Sequence, residues 1–136
     1  MAHCDDSLKL IGKKLKEYQK LNDGKYPPNL ETLIELKMIT VWELVCPVSP
    51  FAVGESSYIY RADDLYTGVP QELIVAYDKI DSHKGRRNVL FANGKVHRQP
   101  ESVFEKFIDR DNEYRKMVGL PEKKKEIVRL EDIKHL

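Results

Sequence analysis

The first forty residues carry apolar positions at helical spacing. Five of them recur at steps of three and four residues: Leu8, Ile11, Leu15, Tyr18 and Leu21. This stripe predicts an amphipathic helix with a run of lysines on its solvent-facing side. The DDS segment at 5–7 offers capping oxygens at the start, and the NDG segment at 22–24, followed by Pro27-Pro28, predicts the end. Asn29 can cap a second, shorter helix over LETLIELK at 30–37.

A stretch without clear periodicity follows at 40–55. The TVWEL segment at 40–44 predicts at most a single helical turn, and we expect Trp42 and Leu44 to be buried. Two prolines and a glycine in the remainder predict an irregular path for the chain.

From position 56 the pattern changes to short runs rich in β-branched and aromatic residues, which predict strands. The four runs are SSYIYR at 56–61, ELIVAYD at 72–78, NVLFA at 88–92 and KVHRQ at 95–99. Asn93-Gly94 joins the last two and predicts a hairpin with a two-residue type I′ turn, in which both central residues have positive φ. Because VLFA is continuously apolar, the third strand is expected to be central and covered on both faces.

A third helix is predicted after Pro100, whose missing N–H costs nothing at a helix start. Its apolar residues follow at helical spacing: Val103, Phe104, Phe107, Ile108, Tyr114, Met117 and Val118. Gly119 can take the left-handed position after the helix, Leu120 can make the accompanying apolar contact, and Pro121 prevents continuation. The remaining residues are charged with sparse apolar positions, which is typical of a mobile tail or of a short docked helix.

This order of elements predicts an α+β fold, in which a long N-terminal helix packs on a small antiparallel sheet of three or four strands and a C-terminal helix follows. A chain of 136 residues has the length of one domain. We place that globular domain at 1–120 and the charged tail or short helix at 121–136.

Composition narrows the classes of function. With 23 basic and 22 acidic side chains, the chain lacks the basic excess that a general nucleic-acid binder needs. No apolar run approaches the roughly 20 residues that cross a bilayer. Four tyrosines could form a stacking platform for a nucleic acid or sugar, but aromatic residues on strands more often belong to a core: Tyr58, Tyr60, Tyr66 and Tyr77.

The two cysteines, Cys4 and Cys46, leave two interpretations open. They are either separate buried thiols or a disulfide, which would close a long loop and stabilise the fold by about 3–4 kcal/mol. An enzyme in which Cys46 acts as a nucleophile with a histidine is a third class. Nothing around VCPVSP at 45–50 indicates the electropositive setting that activates a thiol, and the sequence carries no other catalytic motif.

Carboxylates cluster in two predicted loops, Asp63 and Asp64 in one and Asp78 and Asp81 around the other. Together with His83 they could form a loop site for calcium, which prefers hard oxygen ligands. The alternative is turn chemistry, since aspartate readily bonds nearby backbone groups. The spacing of a regular calcium loop is not found.

Two parts of the sequence resemble a known family. LKLIGKKLKEYQKLNDGKYPPNLETLIEL at 8–36, with its Gly-x-x-Pro-Pro turn, resembles the segment after the membrane-spanning part of the helix in bacterial type IV pilin-like pseudopilins. AYDKIDSHKGRRNVLFANGKVHRQ at 76–99 is similar to a subgroup marked by His, nine residues, then Asp-Gly. His83 and Gly94 occupy the motif positions, whereas Asn93 replaces the usual Asp. The match covers about residues 8–108.

The resemblance implies a structural role rather than an enzyme. It suggests the soluble part of a pseudopilin-like protein of a secretion or pilus-like system, which assembles with other pilin-like subunits through its N-terminal helix. It implies an extracytoplasmic domain that contacts the membrane only through an anchoring segment that this chain does not contain. The balance of charges argues separately against a nucleic-acid partner. A disulfide between Cys4 and Cys46 fits that location. The alternative is an extracytoplasmic ligand- or calcium-binding module.

The spacing from His83 to Asn93 predicts that the two residues belong to separate structural features rather than to one site. The strand between them spans about 17 Å at roughly 3.3 Å per residue, so a shared ligand is not expected. We predict that Asn93-Gly94 makes a tight turn and that His83 holds its own loop, through Asp78 or the backbone.

Overall fold

A computed structural model describes residues 4–44, 58–66, 68–79 and 86–123. The described elements follow the predicted order, and the helices and strands form an α+β fold. They are α1 (Cys4–Leu21), α2 (Glu31–Glu35), a single 3-10 turn (Val41–Leu44), β1 (Tyr58–Tyr60), β2 (Ile74–Asp78), β3 (Arg86–Phe91), β4 (Val96–Pro100) and α3 (Glu101–Met117).

The four strands form one antiparallel sheet in the order β1-β2-β3-β4, so each strand pairs with the next along the chain. Tyr58 lies opposite Asp78, and Tyr77 lies opposite Val89, which in turn faces His97. A bulge interrupts the β2–β3 register between Ile74 and Ala76. This sheet confirms the prediction of three or four antiparallel strands.

Helix α1 covers one face of the sheet. Leu8, Ile11 and Leu15 are each at most 1% exposed and pack in one core with Val75 and Leu90. Leu21, the last residue of the predicted stripe, does not belong to this core.

Leu21 is 79% exposed, so its predicted burial is wrong. At 3.6 residues per turn, Leu21 is rotated by about 110° from the centre of the stripe formed by Leu8, Ile11 and Leu15. Its side chain therefore points away from the sheet.

Helix α3 covers the opposite face. Phe104 and Ile108 pack with side chains that alternate with those facing α1: Ile74, Tyr77, Val89 and Phe91. The rings of Tyr77 and Phe104 lie 4.8 Å apart, and those of Phe91 and Phe107 lie 5.4 Å apart. The prediction that the third strand is central and covered on both faces is therefore confirmed.

Three of the four tyrosines belong to the interior. Tyr58 and Tyr77 are buried, and Tyr60 packs against the core while its hydroxyl donates to the Pro27 carbonyl at 2.7 Å. Tyr66 is 49% exposed. A platform of four stacking tyrosines does not form.

Two predicted core positions near element ends are exposed. Trp42 is 65% exposed whereas Leu44 is buried, because two residues along a 3-10 turn point about 120° apart and only one can face α1. Met117 is 79% exposed, and the inner face of α3 continues instead through Asp111 and Arg115.

The end of α3 is as predicted. The Leu120 N–H donates to the Arg115 carbonyl at 2.7 Å, the Gly119 N–H donates to the Lys116 carbonyl, and Gly119 has φ +83°. This is a Schellman motif. Among the helices that the structure describes, none has the length and apolar character to span a bilayer.

Candidate functional site

The hairpin at Asn93-Gly94 is the first sequence-predicted site. The Gly94 N–H donates to the Phe91 carbonyl at 2.9 Å and the Phe91 N–H donates to the Lys95 carbonyl at 3.0 Å, so the loop contains the three residues 92–94. Only Gly94 has positive φ, +86°, which is typical of a type I turn closed by a bulge. The predicted hairpin is confirmed, and the predicted two-residue type I′ turn is wrong.

Hydrogen bonds to neighbouring backbone groups explain why the loop has three residues. The N–H groups of Ala92 and Asn93 donate to the carbonyls of Leu73 and Gln71, so the loop continues the pairing of β3 with the chain before β2. The Asn93 side-chain oxygen accepts the Lys95 N–H at 2.9 Å and closes the turn. Asn93 therefore acts as a turn residue.

Helix α1 contacts this hairpin directly. The Lys16 ammonium donates to the Asn93 carbonyl at 3.1 Å, and a Cβ placed on Gly94 would lie 3.0 Å from the Lys16 nitrogen. One turn earlier, Gly12 lies against Leu90, whose Cδ1 would be 2.9 Å from an added Cβ. The glycine therefore allows the close approach of α1 to β3.

The calcium candidates are not brought together. Because Tyr58 pairs with Asp78 while the Arg61 N–H donates to the Val75 carbonyl, Asp63 and Asp64 follow β1 at the opposite end of β2 from Asp78. The length of β2 separates them by more than about 10 Å. The predicted joint site is therefore wrong for these three aspartates.

The other predicted site residues lie outside the described part of the chain. They are Asp81, His83, Cys46 and the side chain of Cys4. The proposed disulfide and the contacts of His83 thus stay predictions. Within the described residues, no group of three or more metal-ligating side chains is arranged to hold a metal ion.

Asp78 is a buried carboxyl on the α1 face of the sheet, only 2% exposed. Burial raises its pKa to about 7, against the opposing effects of a hydrogen bond from the Asn88 N–H and of the charges of Arg87 and Arg98. That N–H donates at 2.7 Å, and the Asn88 side-chain oxygen accepts from Arg98 Nε at 3.1 Å. The group can therefore change charge near neutral pH.

Arg87 is fully buried on the other face, although its neighbour Arg86 is exposed. Its Nε donates to both carboxylate oxygens of Glu101, at 3.1 and 3.0 Å, and its Nη1 donates to the Asp78 carbonyl at 2.9 Å. The guanidinium carbon also lies 5.4 Å from the centre of the Phe104 ring. Arg87 thus joins β2, β3 and the start of α3.

A second buried cluster joins α3 to the β1–β2 loop. Arg61, Asp111 and Arg115 are each at most 1% exposed. Asp111 accepts from Arg61 Nη2 at 2.6 Å, from Arg115 Nε at 3.2 Å and from the Ile74 N–H at 2.7 Å. Arg115 Nη1 also contacts both oxygens of Asp64, at 3.0 and 2.9 Å. Two positive and two negative groups therefore balance in the cluster.

The same cluster receives the segment that follows α3. Asn112 accepts the Lys123 N–H at 2.9 Å and donates to the Lys123 carbonyl at 3.1 Å. Arg61 Nη1 donates to that carbonyl at 3.1 Å, and the Lys123 ammonium contacts Asp63. The beginning of the predicted tail, at 121–123, is therefore docked without forming a helix, and residues 124–136 lie outside the described part of the chain.

Two adjoining clefts open beside the C-terminal half of α1. The larger, about 590 Å³, has an apolar floor that includes Tyr26, Val69 and Ala92 and a rim with Lys16 and Lys20. The smaller, about 440 Å³, is lined by three carboxylates and three aromatic or basic groups, among others: Asp23, Asp63, Asp64, Lys25, Tyr26 and Tyr66. Their volumes lie in the range of small-molecule sites.

No protein-family model, curated protein or solved structure matches this chain.

Proposed function

We propose that this chain is the globular part of a pilin-like subunit of a bacterial secretion or pilus-like system, and that it acts by assembly rather than by catalysis. The observation that carries the proposal is the position of α1. This 18-residue amphipathic helix begins the described chain and lies across an antiparallel meander. The family resemblance implies that arrangement.

The outer face of α1 is the surface that a partner subunit would contact. Leu8, Ile11 and Leu15 are used by the sheet, whereas Lys9 and Lys13 remain exposed. A partner that packs along this helix therefore meets positive charge, so we expect acidic groups on the opposing surface. Other pilin-like subunits, including further copies of this chain, are the proposed partners.

The buried polar groups also support a structural role. Arg87 joins two strands to α3, and Asp111 joins α3 to Arg61 and to the start of β2. These contacts hold the elements of a scaffold in register.

Photo-crosslinking in the cells that encode the protein would test the proposal. A photoreactive residue at Lys13 is expected to capture a pilin-like subunit or a second copy of this chain. Lys106 is the matched control, because it is an exposed lysine on α3, across the sheet from α1. Equal capture at the two positions, or capture at Lys106 alone, would contradict assembly through α1.

The proposal also places the domain outside the inner membrane and predicts the Cys4–Cys46 disulfide. Intact mass of the protein from its native compartment, measured without reductant, should be two hydrogens lower than the reduced mass. A mass equal to that of the reduced chain would argue against both the disulfide and an oxidising location.

A ligand-binding module is the second candidate function, favoured by the two clefts beside α1. Calcium is the ligand that the sequence suggests, and carboxylates line the smaller cleft, although they are not arranged as a set of metal ligands in the described residues. Millimolar calcium should raise the melting temperature of the native chain but not that of Asp23→Asn. Asparagine tolerates the positive φ of +56° at this position, so the substitution preserves the turn. No shift in the native chain would rule out calcium.

A further inference from the structure

The segment Pro121–Lys123, here called the strap, lies in a groove between α3 and the β1–β2 loop. The groove binds the strap mainly through its main chain. A single amide side chain, Asn112, pairs with both the N–H and the carbonyl of Lys123. Arg61 adds a second donor to that carbonyl at 3.1 Å. This pattern reproduces the hydrogen bonding that a neighbouring β-strand would supply.

The groove is held in place by contacts that do not involve the strap. Arg61 and Arg115 are fixed by the buried carboxylate of Asp111, which is itself bonded to the Ile74 N–H at 2.7 Å. Arg115 also donates to the Arg61 carbonyl at 2.6 Å. The donors and acceptors therefore keep their geometry if the strap leaves, which lowers the cost of binding another segment.

The strap contributes little through its side chains. Its side-chain contacts are two ion pairs near the surface: Lys123 with Asp63, both partly exposed, and Glu122 with Lys116 of α3 at 3.6 Å, both exposed. The neighbouring carboxylate of Asp64 is already bonded to Arg115, so Asp63 is the acidic partner at this position. The groove thus favours an extended main chain and, at one position, a basic side chain.

We propose that this groove is a docking site for an extended segment of a partner protein, with a lysine or arginine at the position of Lys123, and that the strap competes for it. Main-chain hydrogen bonds have modest net value, because the released groups bond to water instead. The segment that follows α3 can therefore open locally while the domain stays folded. The proposal does not depend on whether the chain assembles through α1.

Competition between a peptide and the strap would test the proposal in the full chain. The probe is a fluorescein-labelled peptide, VGLPEK with an amidated end, which copies residues 118–123. Binding is measured by fluorescence anisotropy. Lys123→Glu places a negative charge beside Asp63 and so weakens the binding of the strap to the groove. This variant should therefore bind the probe at least tenfold more tightly than the native chain does. Lys106→Glu makes the same charge change on the exposed side of α3 and should behave like the native chain.

Two further comparisons test whether the groove recognises the main chain of the bound segment. A probe N-methylated at its lysine loses the N–H that Asn112 accepts and should not bind, whereas a probe with arginine at that position should bind normally. Adding Asn112→Ala to Lys123→Glu should also abolish binding. If Lys123→Glu does not fold, Lys123→Ala replaces it and should show the same order of affinities.

Equal affinity of the native chain and Lys123→Glu would overturn the competition between strap and peptide. Equal binding of the N-methylated probe would overturn main-chain recognition. In either case the strap is a fixed part of the domain and the groove has no second occupant.

Discussion

Asp78 is a buried carboxyl whose pKa lies far above its ordinary value. It lies on the α1 side of β2, where burial raises its pKa from 3.8 to about 7 even though Arg87 and Arg98 favour the charged form. The difference corresponds to about 4 kcal/mol, at roughly 1.4 kcal/mol per pKa unit. The protonated carboxyl is therefore the form that suits the folded protein.

Replacing Asp78 by asparagine should remove a pH dependence of stability. Because the folded pKa is raised, the contribution of the carboxyl is complete below about 4 and is lost as the pH rises through 7. The native chain should therefore lose stability relative to Asp78→Asn between pH 4 and 7.5. Urea unfolding of both proteins across this range measures the difference. Parallel curves would show that Asp78 ionises normally in the folded state.

The carboxylate of Asp111 is shared by Arg61 and Arg115 and offsets their positive charge in the buried cluster. Asp111→Ala leaves Arg61 and Arg115 without their shared carboxylate and the Ile74 N–H without its acceptor. Breaking a buried pair in this way costs about 3–5 kcal/mol. The matched control is Asp109→Ala, an exposed position on the same helix, which should cost less than about 1 kcal/mol. Similar unfolding free energies for the two variants would show that the cluster adds nothing to stability.

The pattern of apolar residues in the sequence did not predict these buried charges. Phe104, Ile108, Asp111 and Arg115 are spaced by four, three and four residues, so the inner face of α3 continues in polar residues. An Asp–Arg pair at that spacing, in line with two core residues, was the available signal. Its partner Arg61 lies 50 residues away from Asp111, and no local pattern predicts that contact.

At the scale of elements, the contact of α1 with β3 depends on Gly12. Alanine at this helical position would contribute about 1 kcal/mol through helix propensity. Its Cβ would however lie 2.9 Å from Leu90 Cδ1, and overpacking of this kind costs about 1–3 kcal/mol. The two effects oppose each other, so the sign of the change depends on Leu90.

Gly12→Ala should therefore change sign with the background. In the native chain it should destabilise by up to about 2 kcal/mol, because the packing cost exceeds the gain in helix propensity. In Leu90→Ala, where the neighbouring side chain is removed, the same substitution should stabilise by about 1 kcal/mol. Denaturant unfolding of the four proteins in this cycle gives the coupling. Equal effects in both backgrounds would mean that α1 shifts freely over the sheet.

Most helices and strands could be predicted because the spacing of their apolar residues shows within a short stretch of sequence. The stripe Leu8, Ile11, Leu15 predicted α1, and the apolar VLFA run predicted a central strand. The hairpin loop was predicted one residue too short because its form is set by hydrogen bonds from residues 92 and 93 to the segment before β2. The candidate site was predicted less well, since its charged contacts join residues far apart in the chain.

At the scale of the whole molecule, the sheet lies between two helices and each helix covers one face. Leu8 belongs to the core on the α1 side, and Phe104 belongs to the core on the α3 side. Strands β2 and β3 contribute side chains to both cores, since Val75 and Leu90 face α1 whereas Tyr77 and Val89 face α3. The two cores are therefore coupled through the backbone of the same two strands.

This coupling predicts one cooperative unit. Leu8→Ala should cost about 2–5 kcal/mol and Phe104→Ala about 3–5 kcal/mol, through lost burial and cavity formation. Each substitution should accelerate hydrogen exchange of the β2 and β3 amides by the factor that its unfolding free energy gives, tenfold for each 1.4 kcal/mol or so. Exchange measured by mass spectrometry on the native chain and both variants tests this. If Phe104→Ala accelerated exchange in α3 but left β2 and β3 unchanged, the helix would open by itself, and the α3 side would be a separate folding unit.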